Sequence, residues 1–107
     1  MAVTQIIEFR TDNIEECLRL DHEYLKNMSP ETRQEIFDRG QTIADLDDPG
    51  HFFVVLEYDS LESAARAREL PESKKLMEDV LPQVIGELRF YNCEVLSYEV
   101  KPLPPVA

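Results

Sequence analysis

The first quarter of the chain changes from a strand-like to a helix-like spacing of apolar residues. Residues 3–10 are rich in β-branched and aromatic side chains, a composition that favours a pleated strand. Asp12 or Asn13 can cap a helix directly after it. Apolar residues then recur at helical spacing over residues 14–28, which predicts an amphipathic first helix.

The next stretch predicts a short helix followed by a hairpin. Ser29 and Pro30 have the order of a helix cap and a first helical residue, and Gly40 is a candidate left-handed terminator. We expect residues 41–46 to form the second strand. Residues 47–50 combine aspartate, proline and glycine, which together favour a tight turn.

The third predicted strand is the most apolar element of the chain. Residues 51–58 read HFFVVLEY, in which apolar side chains occupy both alternating positions. A half-buried strand would alternate, so we expect this strand to be covered on both faces. A serine-capped helix interrupted at Pro71 follows it. Residues 87–100 then predict a last strand that is longer than the usual length of about five or six residues.

The order of these elements is β-α-β-β-α-β. It predicts an α+β, ferredoxin-like fold with an antiparallel sheet in the order 4-1-3-2 and the helices on one face. We place a single domain at residues 1–101 and a proline-rich tail at residues 102–107. Because helices would cover only one face of the third strand, we expect a homodimer in which a second copy covers the other face.

Composition narrows the range of partners and compartments. The 107 residues carry 22 acidic and 11 basic side chains, a formal net charge of −11. Such a surface repels phosphate backbones and anionic lipid, so we expect neither nucleic acid nor a membrane as partner. The first residues turn charged too early for a signal peptide. Cys17 and Cys93 lack metal or CxxC spacing, which predicts reduced thiols in a cytoplasmic protein.

Two runs of residues resemble a known family. The run LDDPGHFFVVLEYDSLESA resembles the antibiotic-biosynthesis-monooxygenase-like family of small dimeric α/β-barrel proteins, and RELPESKKLMEDV is similar to members with a leucine-proline-glutamate break at that place. These residues lie within about 46–81, while the similar topology covers the whole chain. The family includes cofactor-independent quinone-forming oxygenases, haem-degrading enzymes and members without assigned activity. The resemblance therefore implies the fold more closely than the chemistry.

Tyr58 stands where many members of that family carry a tryptophan that lines a pocket between sheet and helices. By this resemblance Tyr58 is a candidate to orient a phenolic or quinone substrate, and a core aromatic at a strand end is the alternative. The haem-degrading members carry a tryptophan, an asparagine in the first strand and a histidine in the second helix. This chain has none of these, so the resemblance does not imply haem degradation. With no phosphate loop, metal-ligand cluster or serine–histidine triad in view, we expect no cofactor.

The two histidines are weaker candidates. His22 lies near the margin of the first helix's apolar stripe, where an imidazole can accept a proton near neutral pH. A solvated or capping histidine is the alternative there. His51 follows the turn glycine and begins the third strand, so it is either an exposed edge residue or a substrate contact.

Glu8 and Glu57 sit among apolar residues in two strands that we place centrally, as parallel neighbours. If both side chains face inward, repulsion between the carboxylates would raise one pKa and create a general base. The alternative is an interface ion pair with Arg10 or Arg89. Asn92 on the last strand is a further candidate for contact with a substrate or across the dimer.

Two functions remain open from the sequence. One is a cofactor-independent monooxygenase or isomerase for a small aromatic or quinone-like substrate, with Tyr58 and either His22 or Glu8 as catalytic groups. The other is a non-catalytic dimeric module that binds a small molecule or another protein. An enclosed cavity reached by Tyr58 and by one of His22, Glu8 or Glu57 would favour the enzyme. A filled space with both glutamates ion-paired would favour the module.

Overall fold

In the computed structural model, which describes residues 1–100, helices lie on one face of a four-stranded sheet. The strands are β1 (Val3–Arg10), β2 (Arg39–Ala44), β3 (His51–Tyr58) and β4 (Ile85–Glu94). The helices are α1 (Ile14–Lys26), α2 (Pro30–Arg33), α3 (Leu61–Glu69) and α4 (Pro71–Val80), with a 3-10 turn at Leu81–Gln83. The sheet order β2-β3-β1-β4 confirms the predicted α+β, ferredoxin-like fold. The predicted tail at residues 102–107 lies outside the described residues.

All three pairs of neighbouring strands are antiparallel, so the expectation of parallel β1 and β3 was wrong. Helix α1 returns the chain so that β1 and β2 run in the same direction, and β3 then runs opposite to both. The register pairs Glu8 with Phe53 and Thr4 with Glu57. Glu8 and Glu57 are therefore about 13 Å apart along the sheet, because each strand residue spans about 3.3 Å.

Local signals in the sequence set where the helices begin. At the starts of α1, α2 and α3, a capping side chain accepts a hydrogen bond from the backbone N–H three residues later; the caps are Asn13, Ser29 and Ser60. Pro30 and Pro71 lie in the first turn of α2 and α4, where a missing N–H breaks no helical hydrogen bond. Across residues 1–100, every helix is too short or too polar to span a bilayer.

β4 ends earlier than the sequence predicts. It stops at Glu94, and residues 95–100 form no regular secondary structure. Glu94 pairs with Val3, the first residue of β1, and one more hydrogen bond joins the Val95 N–H to the Ala2 carbonyl at 3.0 Å. Within residues 1–100 no further strand is left to pair with beyond that point, so the ladder ends.

Gly40 does not terminate a helix. It lies inside β2, which begins and ends two residues earlier than predicted, and the left-handed glycines among residues 1–100 are Gly50 and Gly86. A side-chain carbon at Gly40 would lie 2.8 Å from the ring of Phe37 and 3.1 Å from Leu56. A side chain at this position would therefore have to displace the Phe37 ring.

The helix-facing side of the sheet holds the core. Val3 and Tyr58 are buried against Ala64 and Ala67 of α3, and Phe9 is buried near the other end of β1. These are mostly small or peripheral side chains, and in the described part of the chain no large side chain is completely buried. The middle of the helix–sheet interface is therefore incompletely filled.

The far side of the sheet carries an apolar stripe that no helix covers. Ile6 pairs with Val55 and with Tyr91, and Ile43 pairs with Phe53, so all five side chains share this side. Ile43 and Tyr91 are each 44% exposed. Within residues 1–100, nothing supplies the second cover that the sequence predicts for β3.

Gly40→Ala should lower the free energy of unfolding by about 1–3 kcal/mol, because the added methyl group overlaps the Phe37 ring. Urea unfolding measures this cost. In a Phe37→Leu background the ring is absent, and the same substitution should cost clearly less. An equal cost in both backgrounds would show that Phe37 does not explain the glycine.

Candidate active site

A cavity of about 350 Å³ lies between the sheet and the helices. Helix-facing residues of all four strands line it, together with residues of α1, α3 and α4. Most of the lining is apolar, and the polar groups are Gln5, Asp21, Tyr24, Thr42, Tyr58, Arg68, Ser73 and Lys74. An apolar cavity with a few polar groups is the usual form of a small-molecule site.

Tyr58 lies in the cavity wall and is also part of the buried core cluster, so its position fits both interpretations drawn from the sequence. It ends β3 and is 7% exposed. Burial raises the pKa of its phenol, Tyr24 raises it further, and the charge of Arg68 lowers it. No side-chain hydrogen bond among residues 1–100 uses the Tyr58 hydroxyl, which leaves that group free to bond to a ligand.

Asp21 brings a carboxyl group to the same cavity, and the sequence analysis did not select it. Burial raises the pKa of Asp21, while the charges of His22 and Arg33 oppose this shift. A carboxyl group that is desolvated in an apolar site is a candidate general base or acid. The available signal was its place three residues after Leu18 and four after Cys17, inside the apolar stripe of α1.

Tyr24 adds a second hydroxyl next to this carboxyl. It lies one turn after Asp21 on α1, and a 3.0 Å hydrogen bond joins its hydroxyl to Ser73 Oγ of α4. Burial raises the pKa of Tyr24, and Glu72 and Asp21 raise it further. Ser73 thus holds the Tyr24 side chain in position at the cavity, and both phenols are protonated at neutral pH.

Two other predicted residues lie outside the cavity lining. His22 is exposed on α1, although its neighbour Asp21 lines the cavity. Asn92 on β4 is exposed and accepts a 3.2 Å hydrogen bond from Gln5 Nε2. Gln5 is 3% exposed and lines the cavity, so Asn92 acts on the cavity wall only through Gln5.

Glu8 and Glu57 lie on the far side of the sheet, and each has a basic partner. Glu8 Oε2 is 2.7 Å from His51 Nε2, and Glu57 Oε2 is 3.6 Å from Arg39 Nε. Both glutamates are thus ion-paired, as expected for a non-catalytic module, but the space between helices and sheet is not filled. The structure therefore fully meets neither the condition set for an enzyme nor the one set for a module. The cavity is present and Tyr58 lines it, but none of His22, Glu8 and Glu57 does; the carboxyl group in its lining is that of Asp21.

His51 forms a polar cluster on the far side. Its Nδ1 is 3.0 Å from Asp45 Oδ2, its Nε2 meets Glu8, and its ring centroid lies 4.7 Å from that of Phe53. Hydrogen bonds to Asp45 and Glu8 raise the pKa of His51, and the same contacts lower the pKa of both carboxyl groups. A protonated imidazole that donates to both carboxylates fits this geometry.

Three residues of this cluster, His51 among them, also have the residue types of metal ligands. Single ligand atoms of Asp45, Asp48 and His51 lie within 4.8 Å of one another. However, Asp48 forms an ion pair with Arg10, and an imidazole bound between two carboxylates keeps both of its protons. The cluster is better described as an internal network of ion pairs.

No family model and no curated protein matches this chain. Solved structures do. A candidate antibiotic biosynthesis monooxygenase from Nitrosomonas europaea superimposes with a TM-score of 0.73 at 15% identity, over 89% of this chain and 90% of that one. Another structure, named as an antibiotic biosynthesis monooxygenase, superimposes with a TM-score of 0.69 at 18% identity, over 91% of this chain and 100% of that one. A dimeric ferredoxin-like protein of unknown function from Thermobifida fusca superimposes with a TM-score of 0.68 at 15% identity, over 89% of this chain and 92% of that one.

Identities this low establish a shared fold. The resemblance drawn from residues 46–81 is thus confirmed as a similarity of fold, and the chemistry has to be argued from the residues of this chain.

In the wild type, the free energy of unfolding should fall as pH rises above about 6.5, because His51 loses its charge. His51→Gln should make this fall smaller. The folded-state pKa of His51 is raised from 6.5, so its ion pairs contribute fully below that pH and are lost as pH rises through the raised value. Unfolding free energies between about pH 6 and pH 9 measure this. His22→Gln, which removes the other histidine at an exposed position, is the control for loss of an imidazole. A variant with an unchanged slope at His51 would contradict a charged imidazole.

Proposed function

We propose that this protein is a cofactor-independent monooxygenase-like protein that binds a small aromatic or quinone-like substrate between the helices and the sheet. The observation that carries the proposal is the desolvated Asp21 carboxyl group in a mainly apolar cavity that Tyr58 also lines. The shared fold with structures named as antibiotic biosynthesis monooxygenases supports the reaction class.

Oxygenation without a cofactor needs a substrate anion that is electron-rich enough to reduce O₂. In this proposal Asp21 accepts a proton from an acidic ring carbon or hydroxyl group of the substrate. The anion then transfers electrons to O₂. Where a ring CH₂ becomes C=O, one oxygen atom enters the substrate, and the other leaves as water with the two hydrogens of that CH₂.

The phenols have a separate role in this chemistry. The Tyr58 hydroxyl is protonated at neutral pH and donates a hydrogen bond to the oxygen atom on which negative charge develops. Tyr24, held by Ser73, positions the substrate relative to Asp21. His22 and Glu8 have no part in the proposal, because His22 is exposed and Glu8 is bound by His51 on the far side of the sheet.

We also propose that the protein is a homodimer in which a second copy covers the far side of the sheet. The support is the uncovered stripe around Ile6, Phe53 and Val55, since exposed apolar areas of this kind mark interaction sites. Residues 95–100 add Leu96 and Tyr98, which are 86% and 65% exposed. The similar protein from Thermobifida fusca is described as dimeric.

Asp21→Asn should abolish O₂ uptake with a responsive substrate, a loss of about 100-fold or more, because the base is removed. Tyr58→Phe should lower the rate by about 10- to 100-fold through loss of one donor. An oxygen electrode with a panel of hydroquinones and ring ketones measures both. Glu23→Gln, on the exposed side of α1, is the matched control. Equal rates in all variants would overturn the assigned roles.

Stability distinguishes loss of a base from loss of the fold. The pKa of Asp21 is raised by burial, so its ionisation above that pKa destabilises the folded state. Asp21→Asn should therefore be more stable than the wild type near neutral pH, with the difference vanishing below the ordinary pKa of about 3.9. A variant that is inactive and less stable would contradict this explanation.

Phe53→Glu should convert the dimer into a monomer, because it places a charge in the middle of the apolar stripe. Sedimentation velocity at micromolar concentration measures the change. Ala65→Glu adds the same charge on the exposed side of α3 and should leave the dimer intact. A wild-type protein that sediments as a folded single protomer would overturn the dimer.

A further inference from the structure

Arg68 is a cation in the cavity wall that is paired with no carboxylate among residues 1–100. Its neighbours differ in this respect. Arg66 lies 3.6 Å from Glu35, and Lys74 Nζ lies 3.1 Å from Glu69. In a chain with 22 acidic and 11 basic side chains, carboxylates are abundant, so an unpaired arginine on a cavity wall stands out.

The position of Arg68 separates it from the proposed base. Its charge lowers the pKa of Tyr58, against the larger effect of burial, whereas the charges that act on Asp21 are those of His22 and Arg33. Arg68 and Lys74 are both exposed while lining the cavity, so they are at its mouth, where α3 and α4 meet. The apolar lining lies deeper, towards the sheet.

We infer that the ligand of this cavity is an aromatic acid, whose anionic group binds Arg68 at the mouth while its ring system occupies the apolar interior. This inference rests on the proposed function and specifies its substrate class further. A guanidinium group binds a carboxylate, sulfonate or phenolate oxygen through a charge-assisted hydrogen bond. Lys74 also lines this opening, but its charge is paired with that of Glu69, so Arg68 is the cation that we assign to the ligand.

Anchoring one end also sets the direction in which the ligand enters. With its anionic group at Arg68, the ring system extends past the Tyr58 hydroxyl into the cavity, where Asp21 is the carboxyl group in the lining. A neutral aromatic compound of the same size would gain the apolar contacts but not the charged one. Arg68 is therefore a specificity-determining residue in this inference, and it is not required for the proton transfer.

A pair of fluorescent dyes tests the inference directly. Anilinonaphthalene sulfonate is anionic, and phenylnaphthylamine is its neutral parent with the same rings. Arg68→Gln should weaken binding of the sulfonate dye by about tenfold, the usual scale of a charge-assisted hydrogen bond, and change binding of the neutral dye by less than about twofold. Arg66→Gln removes the same charge from the same helix outside the cavity lining, and it should leave both affinities unchanged.

The outcomes separate this inference from the function on which it rests. If Arg66→Gln and Arg68→Gln weaken the sulfonate dye equally, the effect is one of overall charge and the inference is overturned. No effect of Arg68→Gln on either dye also overturns the inference. In that case the cavity proposal still stands if Leu88→Trp, which fills the cavity, displaces both dyes. If Leu88→Trp displaces neither dye, the cavity proposal itself fails and the Arg68 anchor fails with it.

Discussion

Shielding of β3 from water is the constraint on which the rest of the structure depends. Apolar side chains point to both faces of this strand, so one layer of helices cannot cover it. Residues Val54 and Leu56 face the helices, and Phe53 and Val55 face the opposite way. The first pair forms the floor of the cavity, and the second forms the stripe that we assign to a partner copy. The proposed substrate site and the proposed interface are therefore the two sides of one strand.

The helices pack closely on the sheet at one end and leave the cavity open elsewhere. Ala64 and Ala67 bring α3 close to Tyr58 at one end, while the space nearer the middle of the sheet stays unfilled. An unfilled volume and a desolvated Asp21 both reduce stability. A chain that needed only to fold would gain by filling the space and replacing the carboxyl group, so this combination argues for a functional role.

Local signals in the sequence predicted the fold well, and they predicted the site poorly. Caps such as Asn13 and Ser60 act through neighbouring amides, which the sequence places within reach. The direction of β3 against β1 and the strand position of Gly40 depend on distant packing, for Gly40 on the ring of Phe37. The role of Asp21 also depends on packing, because helical spacing puts it on the apolar side of α1 but cannot show that the sheet leaves room there.

The net charge of this protein acts on a ligand at long range, and the residues at the cavity mouth act on it at short range. The difference decides whether the cavity can bind an anion. A net charge of −11 repels any anion at a distance, although salt screens that repulsion beyond about 8–10 Å. At the cavity mouth the charge left unpaired within residues 1–100 is that of Arg68, because Lys74 is paired with Glu69. Contact interactions between partly desolvated groups outweigh a screened distant field. An acidic protein can therefore select an acidic ligand, provided that the selection is made by a few residues at the opening.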